Sequence, residues 1–256
     1  MFKRFFNKSH IIREYRVGFY EKLLKESKEC PQQKVNQALQ ANRTLKSIWF
    51  ILLFLSTPQL LTLPAPYDSV NPVLPYNSHG WNHNVHQLSQ LFNKIKPKIV
   101  VEVGVWIGAS AISMASLLPQ DGKLYAVDHF LGSSEHQPGQ VAYLPFLPYL
   151  YEQFLSNVIH KGLTDKIIPV KMNSLEASEY LKGKHVDFIY IDASHDYESV
   201  YADLKAWYPF IQGHGVLTGD DYDWTGVHAA VNKFAVENGL KVIALSSAFW
   251  YLQEPN

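Results

Sequence analysis

The chain has 256 residues, 47% hydrophobic and 18% charged, which is enough for one sizeable core with an appendage and excludes a disordered, collagen-like or coiled-coil chain as a whole. Its 23 Lys plus Arg balance 23 Asp plus Glu, so no global basic field argues for a nucleic-acid partner. A single cysteine, Cys30, excludes an internal disulfide and a multi-thiolate metal site, and the default expectation is a cytoplasmic protein.

Charge is unevenly placed. Residues 1–46 carry 11 Lys/Arg against 4 Asp/Glu, a basic arm expected to be helical. Residues 47–79 are apolar and contain Pro58, Pro64, Pro66, Pro72 and Pro75, which interrupt regular structure, so this stretch reads as a connector. Within it, Ile48 to Leu63 is too short and too interrupted for a membrane span of about 20 apolar residues. Two readings stay open for that segment: packing on the main domain or on a second copy of the chain, or peripheral membrane contact helped by the basic arm.

Residues 80–256 form the expected main domain. Ile99 to Val103 is a β-branched run of buried-strand type, and Ser110 to Leu118 reads as a helix after a turn holding Gly104 and Gly108. The alternation continues with strand Lys123–Val127, helix Tyr149–Lys161, strand Lys166–Val170 and helix Ser174–Leu181. It then runs through strand Val186–Ile191, helix Glu198–Phe210, strand Gly215–Thr218 and helix Thr225–Asn238. Lys241–Leu245 and Ala248–Gln253 close the chain as a hairpin. Strands separated by helical stretches specify an α/β fold with a doubly wound, mostly parallel sheet, whose ligands bind beyond the carboxyl ends of the strands.

The residues just after each strand are mostly acids and glycines. Gly104 lets the backbone approach a ligand, and Gly108 opens the helix without a clashing Cβ. The GxxxG spacing differs from the three-glycine dinucleotide fingerprint, and a glycine turn is also an ordinary way to join a strand to a helix. Asp128 ends the second strand, 20 residues after Gly108, where a carboxylate can accept from both hydroxyls of a ribose. The two features together favour an adenosine-containing ligand. The missing pyrophosphate turn, and Glu102 beside it, favour the cationic S-adenosylmethionine over NAD.

Taken in order, Val101 to Ser110, Val127 to Gly132, Tyr190 to Tyr197 and Gly219 to Tyr222 resemble the class I S-adenosylmethionine-dependent methyltransferases. The likeness is closest to the bacterial group related to macrocin-type and catechol-type O-methyltransferases, and it covers about residues 80 to 253. It implies a Rossmann-like sheet of seven strands with the last antiparallel. It further implies cofactor contacts from Glu102, Gly104, Trp106, Gly108, Ser110, Asp128 and Asp192, with Asn173 and Ser174 at the adenine edge.

Asp192 follows the fourth strand, and Asp220 and Asp221 follow the fifth, 28 and 29 residues later. Three carboxylates at neighbouring strand ends repel unless a cation or a proton holds them, and oxygen-only donors select Mg²⁺, Mn²⁺ or Ca²⁺. The catechol-type pattern carries the metal-ligand role onto Asp192, Asp220 and Asp221, with Asp221 replacing an asparagine. A helix cap at Asp220 and a solvated Asp221 are the plainer alternative. His195, three residues after Asp192, stands where that group has a lysine base. An imidazole can take a hydroxyl proton near neutral pH, so His195 is expected as base or metal ligand.

Trp81, His83, His86, Trp106, His129, His136, Tyr222, Trp224 and His228 can stack on a sugar or an aromatic ring equally well. The resembling group includes sugar and polyketide-sugar O-methyltransferases, so the resemblance implies a hydroxyl on a sugar or glycosylated metabolite as acceptor, and a small phenol is the second reading. An NAD-dependent oxidoreductase and a non-catalytic S-adenosylmethionine-binding scaffold remain the alternatives from other classes.

Overall fold

A computed structural model describes residues 63–255, apart from 81, 134–135, 140–143 and 145–146; the side chain of residue 212 is likewise outside the description. The basic arm, most of the Ile48 to Leu63 segment and Trp81 lie outside the described residues. The elements are α1 (Val85–Ile95), β1 (Ile99–Val103), α2 (Ala109–Leu117), β2 (Lys123–Asp128), α3 (Leu150–Lys161), β3 (Ile167–Lys171) and α4 (Ser174–Tyr180). They continue with β4 (Val186–Ile191), α5 (Tyr197–Trp207), β5 (Ile211–Gly219), α6 (Thr225–Glu237), β6 (Lys241–Ala244) and β7 (Trp250–Gln253).

All seven strands form one sheet in the order β3-β2-β1-β4-β5-β7-β6. β1 pairs in parallel with β2 and β4, and the parallel pairing extends outward to β3 and β5. β7 runs antiparallel between β5 and β6, as the terminal hairpin implied. The inner strands are near-continuous apolar runs because helices cover both faces of the sheet. Alternation then sorts their side chains: Val100, Leu124, Ala126, Phe188 and Tyr190 join one core, with α1, α2 and α3. Val101, Val103, Val127, Ile189 and Ile191 join the other, with α4, α5 and α6.

Helix ends follow local chemistry. Asn173 Oδ1 caps α4 by accepting from the Glu176 amide at 2.9 Å, and Asp196 Oδ1 caps α5 by accepting from Ser199 at 3.0 Å. The helix α1 is absent from the sequence reading above. Its buried residues Leu88, Leu91 and Phe92 pack on the sheet, and it brings Asn84 to the carboxyl edge of β5.

Part of the expected connector is packed against the domain. Tyr67 is buried and donates its hydroxyl to the Ile167 carbonyl at 2.9 Å. The Leu74 amide donates to Ser156 Oγ at 2.9 Å, and Asn157 grips Asn77 through both its side-chain oxygen and nitrogen. The same Asn157 nitrogen donates to the Ile107 carbonyl at 2.8 Å, tying this strap to the turn after β1. No helix among the described residues is long and apolar enough to cross a membrane.

Candidate active site

A cavity of about 860 Å³ opens beyond the carboxyl ends of the strands. Of the expected residues, Gly104, Trp106, Ser110, Asp128, Asn173, Ser174, Asp192, His195, Asp220 and Asp221 line it. Glu102 and Gly108 do not. Glu102 lies fully buried under the turn, where Ser110 donates to its Oε1 and its Oε2 has no partner. Burial pushes the Glu102 carboxyl up to about 8, against the Ser110 hydrogen bond and with help from the charge of Asp128. Gly108 packs on the ring of Phe154.

Asp128 organises the turn. Its Oδ2 accepts from the Val105 and Trp106 amides, both at 2.9 Å, and its Oδ1 accepts from Phe130 at 2.6 Å. A carboxylate has about four acceptor sites, so three are already used and one is left for a ligand hydroxyl, where the sequence suggested two. Trp106, with φ of 54°, sits between the His79 and His136 rings at centroid distances of 6.2 and 4.6 Å.

At the other end, His195 Nε2 lies 3.0 Å from Asp221 Oδ2, and its ring stacks on Trp224 with centroids 4.3 Å apart. A carboxylate only accepts, so Nε2 carries the hydrogen in this contact. Asp192 is driven well above the usual carboxylate range, by burial first and then by the charges of Asp220, Asp221, Glu102 and Asp128. Among the described residues, no lysine or arginine lines the cavity. With its acids, its orphaned Glu102 oxygen beneath and the backbone approach at Gly104, the cavity fits a cationic adenosyl ligand.

The expected metal trio is not assembled. Asp220 Oδ1 accepts from Asn84 Nδ2 at 2.5 Å and from the Asp221 amide at 2.8 Å, and its Oδ2 accepts from the Tyr190 hydroxyl at 2.9 Å. Asp221 is turned to His195. Among the described residues no group of three acids, histidines or cysteines is placed to hold a metal ion. Asp220 is held by three protein donors and Asp221 by His195, so as arranged these two do not fit a divalent cation shared with Asp192. Asn84 and Tyr190 were not found from sequence, since they lie 136 and 30 residues from Asp220.

Comparison with known proteins agrees with this architecture. A family described as "Methyltransferase domain" matches residues 101–222. Caffeoyl-CoA O-methyltransferase 2 of Petunia hybrida is 29% identical over 169 residues, 64% of this chain and 63% of that protein. Flavonoid 3',5'-methyltransferase of Vitis vinifera is 27% identical over 139 residues, 54% of this chain and 53% of that one. The chain thus spans less than two thirds of the length of these curated relatives. An O-methyltransferase from Bacillus cereus in complex with SAH superposes with a TM-score of 0.52 at 16% identity, covering 90% of this chain and 94% of that one. A calicheamicin methyltransferase gives a TM-score of 0.53 at 20% identity, over 68% and 79% of the two chains.

Proposed function

We propose that this chain, which carries a class I S-adenosylmethionine-dependent methyltransferase domain, moves a methyl group onto a hydroxyl of a neutral small molecule. A sugar or glycosylated metabolite is the first acceptor class and a small phenol the second. The observation that carries the reading is that one cavity joins the Asp128 turn to the His195–Asp221 pair.

Bound there, S-adenosylmethionine supplies an electrophilic methyl carbon on a cationic sulfur. Asp128 and the glycine turn hold the adenosine, while Trp106 and Trp224 wall the acceptor. His195 takes the hydroxyl proton as the oxygen bonds to the methyl carbon and the sulfur–methyl bond breaks, leaving S-adenosylhomocysteine, and Asp221 stabilises the imidazolium through Nε2. General-base help of this kind is worth about 10²–10⁴ in rate, and holding the two partners about 3 Å apart in line supplies much of the rest.

The lining favours a neutral acceptor. Among the described residues it contains six aspartates, Asp128, Asp192, Asp203, Asp220, Asp221 and Asp223, and no lysine or arginine, so a polyanionic acceptor finds no permanently charged cation among them. The caffeoyl-CoA relatives, named for a CoA thioester, are the natural contrast.

The test is transfer of a labelled methyl group to a panel of sugars, glycosides, phenols and CoA thioesters, with and without Mg²⁺. Labelling of a neutral hydroxyl compound supports the reading, and labelling confined to thioesters contradicts it. A rate that requires Mg²⁺ would mean that Asp220 leaves Tyr190 and Asn84 in the working enzyme.

A further inference from the structure

His195 and the groups it touches belong to different loops. His195 lies between β4 and α5, whereas Asp221 and Trp224 lie between β5 and α6, so 26 residues separate the members of the His195–Asp221 pair. A glycine stands at each end of the second loop, and each lies against the backbone of the first. A Cβ on Gly219 would sit 2.5 Å from the Ile191 carbonyl oxygen, one residue before Asp192, and 2.5 Å from the Trp250 ring. A Cβ on Gly226 would sit 2.3 Å from the carbonyl oxygen of His195 itself and 2.9 Å from the Tyr197 nitrogen.

The two glycines have different reasons. Gly219 makes room for the fully buried Trp250, so it serves the core. Gly226 is the second residue of α6 and its φ is not positive, so its backbone conformation asks for no glycine. In a helix alanine is the favoured residue and glycine a poor one. What the missing side chain admits is the backbone of 195–197, and Asp196 anchors that segment by capping α5. Local preference is given up at the point where one loop must meet the other.

Resting on the function proposed above, we propose that Gly226 is a positioning residue for His195. By admitting the His195 backbone against the first turn of α6, it sets the spacing at which the imidazole reaches Asp221 and lies over Trp224. A methyl group at position 226 must push the His195 carbonyl out by about 1 Å to reach ordinary contact. That displacement takes the 3.0 Å contact with Asp221 out of hydrogen-bond range. Misplacement of this size costs about 10²-fold in rate. The Asp128 end of the cavity rests on the Val105 and Trp106 amides and is not part of this contact.

The experiment uses the full chain with nitrogen-15 histidine, read by long-range proton–nitrogen correlation near pH 8, the His195 signals being those lost in His195→Ala. Wild type should show the hydrogen on Nε2 and ring protons shifted upfield by Trp224. Gly226→Ala should lose that shift and mix the two tautomers, while binding S-adenosylhomocysteine within about 3-fold of wild type in calorimetry. Methyl transfer to the panel compound that wild type labels should fall about 10²-fold, and adding Gly226→Ala to His195→Ala should lower the rate no further. Unchanged His195 signals in Gly226→Ala overturn the proposal, as does an additive loss in the double variant. A Gly226→Ala chain that stays unfolded in trimethylamine N-oxide, or that loses S-adenosylhomocysteine, also overturns it, because Gly226 would then support the whole domain. Wild type alone gives a further check: a nuclear Overhauser contact between the Gly226 α protons and the Tyr197 amide is required, and its absence overturns the proposal without any variant. If wild type methylates nothing in the panel, the function proposed above fails, while the His195 signals still decide the contact.

Discussion

Gly104 and Asp192 meet backbone to backbone: a Cβ on Gly104 would lie 1.9 Å from the Asp192 carbonyl oxygen, and Gly104 has φ of +86°. The turn after β1 and the segment after β4 can therefore touch only because position 104 has no side chain. This contact sets Asp192 and the segment that carries His195 against the turn after β1.

Gly104→Ala should consequently destabilise the domain by at least ~2 kcal/mol and abolish cofactor binding, because backbone must move. Gly162, which ends α3 at φ of +65° in open space, is the control. Gly162→Ala should cost only about 1 kcal/mol and leave binding unchanged. Thermal melts and titration of both variants check this, and equal effects would contradict it.

His195→Ala should lower kcat by about 10²–10⁴ with little change in cofactor affinity. Asp221→Asn should lower it less and shift the pH profile, since an amide can no longer stabilise the imidazolium. If His195→Ala turned over at the wild-type rate, the base would have to be sought elsewhere.

Glu102 makes stability depend on pH. The unfolded side chain loses its proton near 4.5, whereas the folded one holds it to about 8 because it is buried. Between those values the folded chain binds more protons, so this group's contribution is full below 4.5 and is lost as pH rises through about 8. Glu102→Gln should therefore show a flatter fall in stability from pH 5 to 8, by an amount of a few kcal/mol. Denaturant titrations across that range measure it; parallel curves for wild type and variant would be inconsistent with a buried neutral Glu102.

Asn157 serves two segments at once. Its oxygen accepts from the Asn77 amide and from Gln153, and its nitrogen donates to the carbonyls of Asn77 and Ile107. Asn157→Leu leaves these groups unpaired, so it should cost roughly 2–4 kcal/mol and weaken cofactor binding through the loosened turn. Destabilisation with wild-type affinity would separate the strap from the site.

The sheet was legible because its signals are local. Apolar, β-branched runs that stop at Gly104, Asp128 and Asp192 mark strands and their carboxyl ends within a few residues, whereas the count of seven strands with the last antiparallel came from the family resemblance. Helix α1 is absent from the expected elements although Leu88, Leu91, Phe92 and Ile95 repeat at helical spacing. Asp203 carried a comparable signal, an acid on the apolar stripe of α5. The partners of Asp220 carried none. Asn84 and Tyr190 reach it only through folding, and they turn an expected ligand into a held carboxylate.

The central claim is that the cavity between Asp128 and His195 binds S-adenosylmethionine, and titration of the purified full chain with that compound and with NAD tests it most directly. The account predicts saturable one-to-one binding of S-adenosylmethionine, displaced by S-adenosylhomocysteine, and no heat with NAD. Binding of NAD, or no binding of either compound, would contradict it.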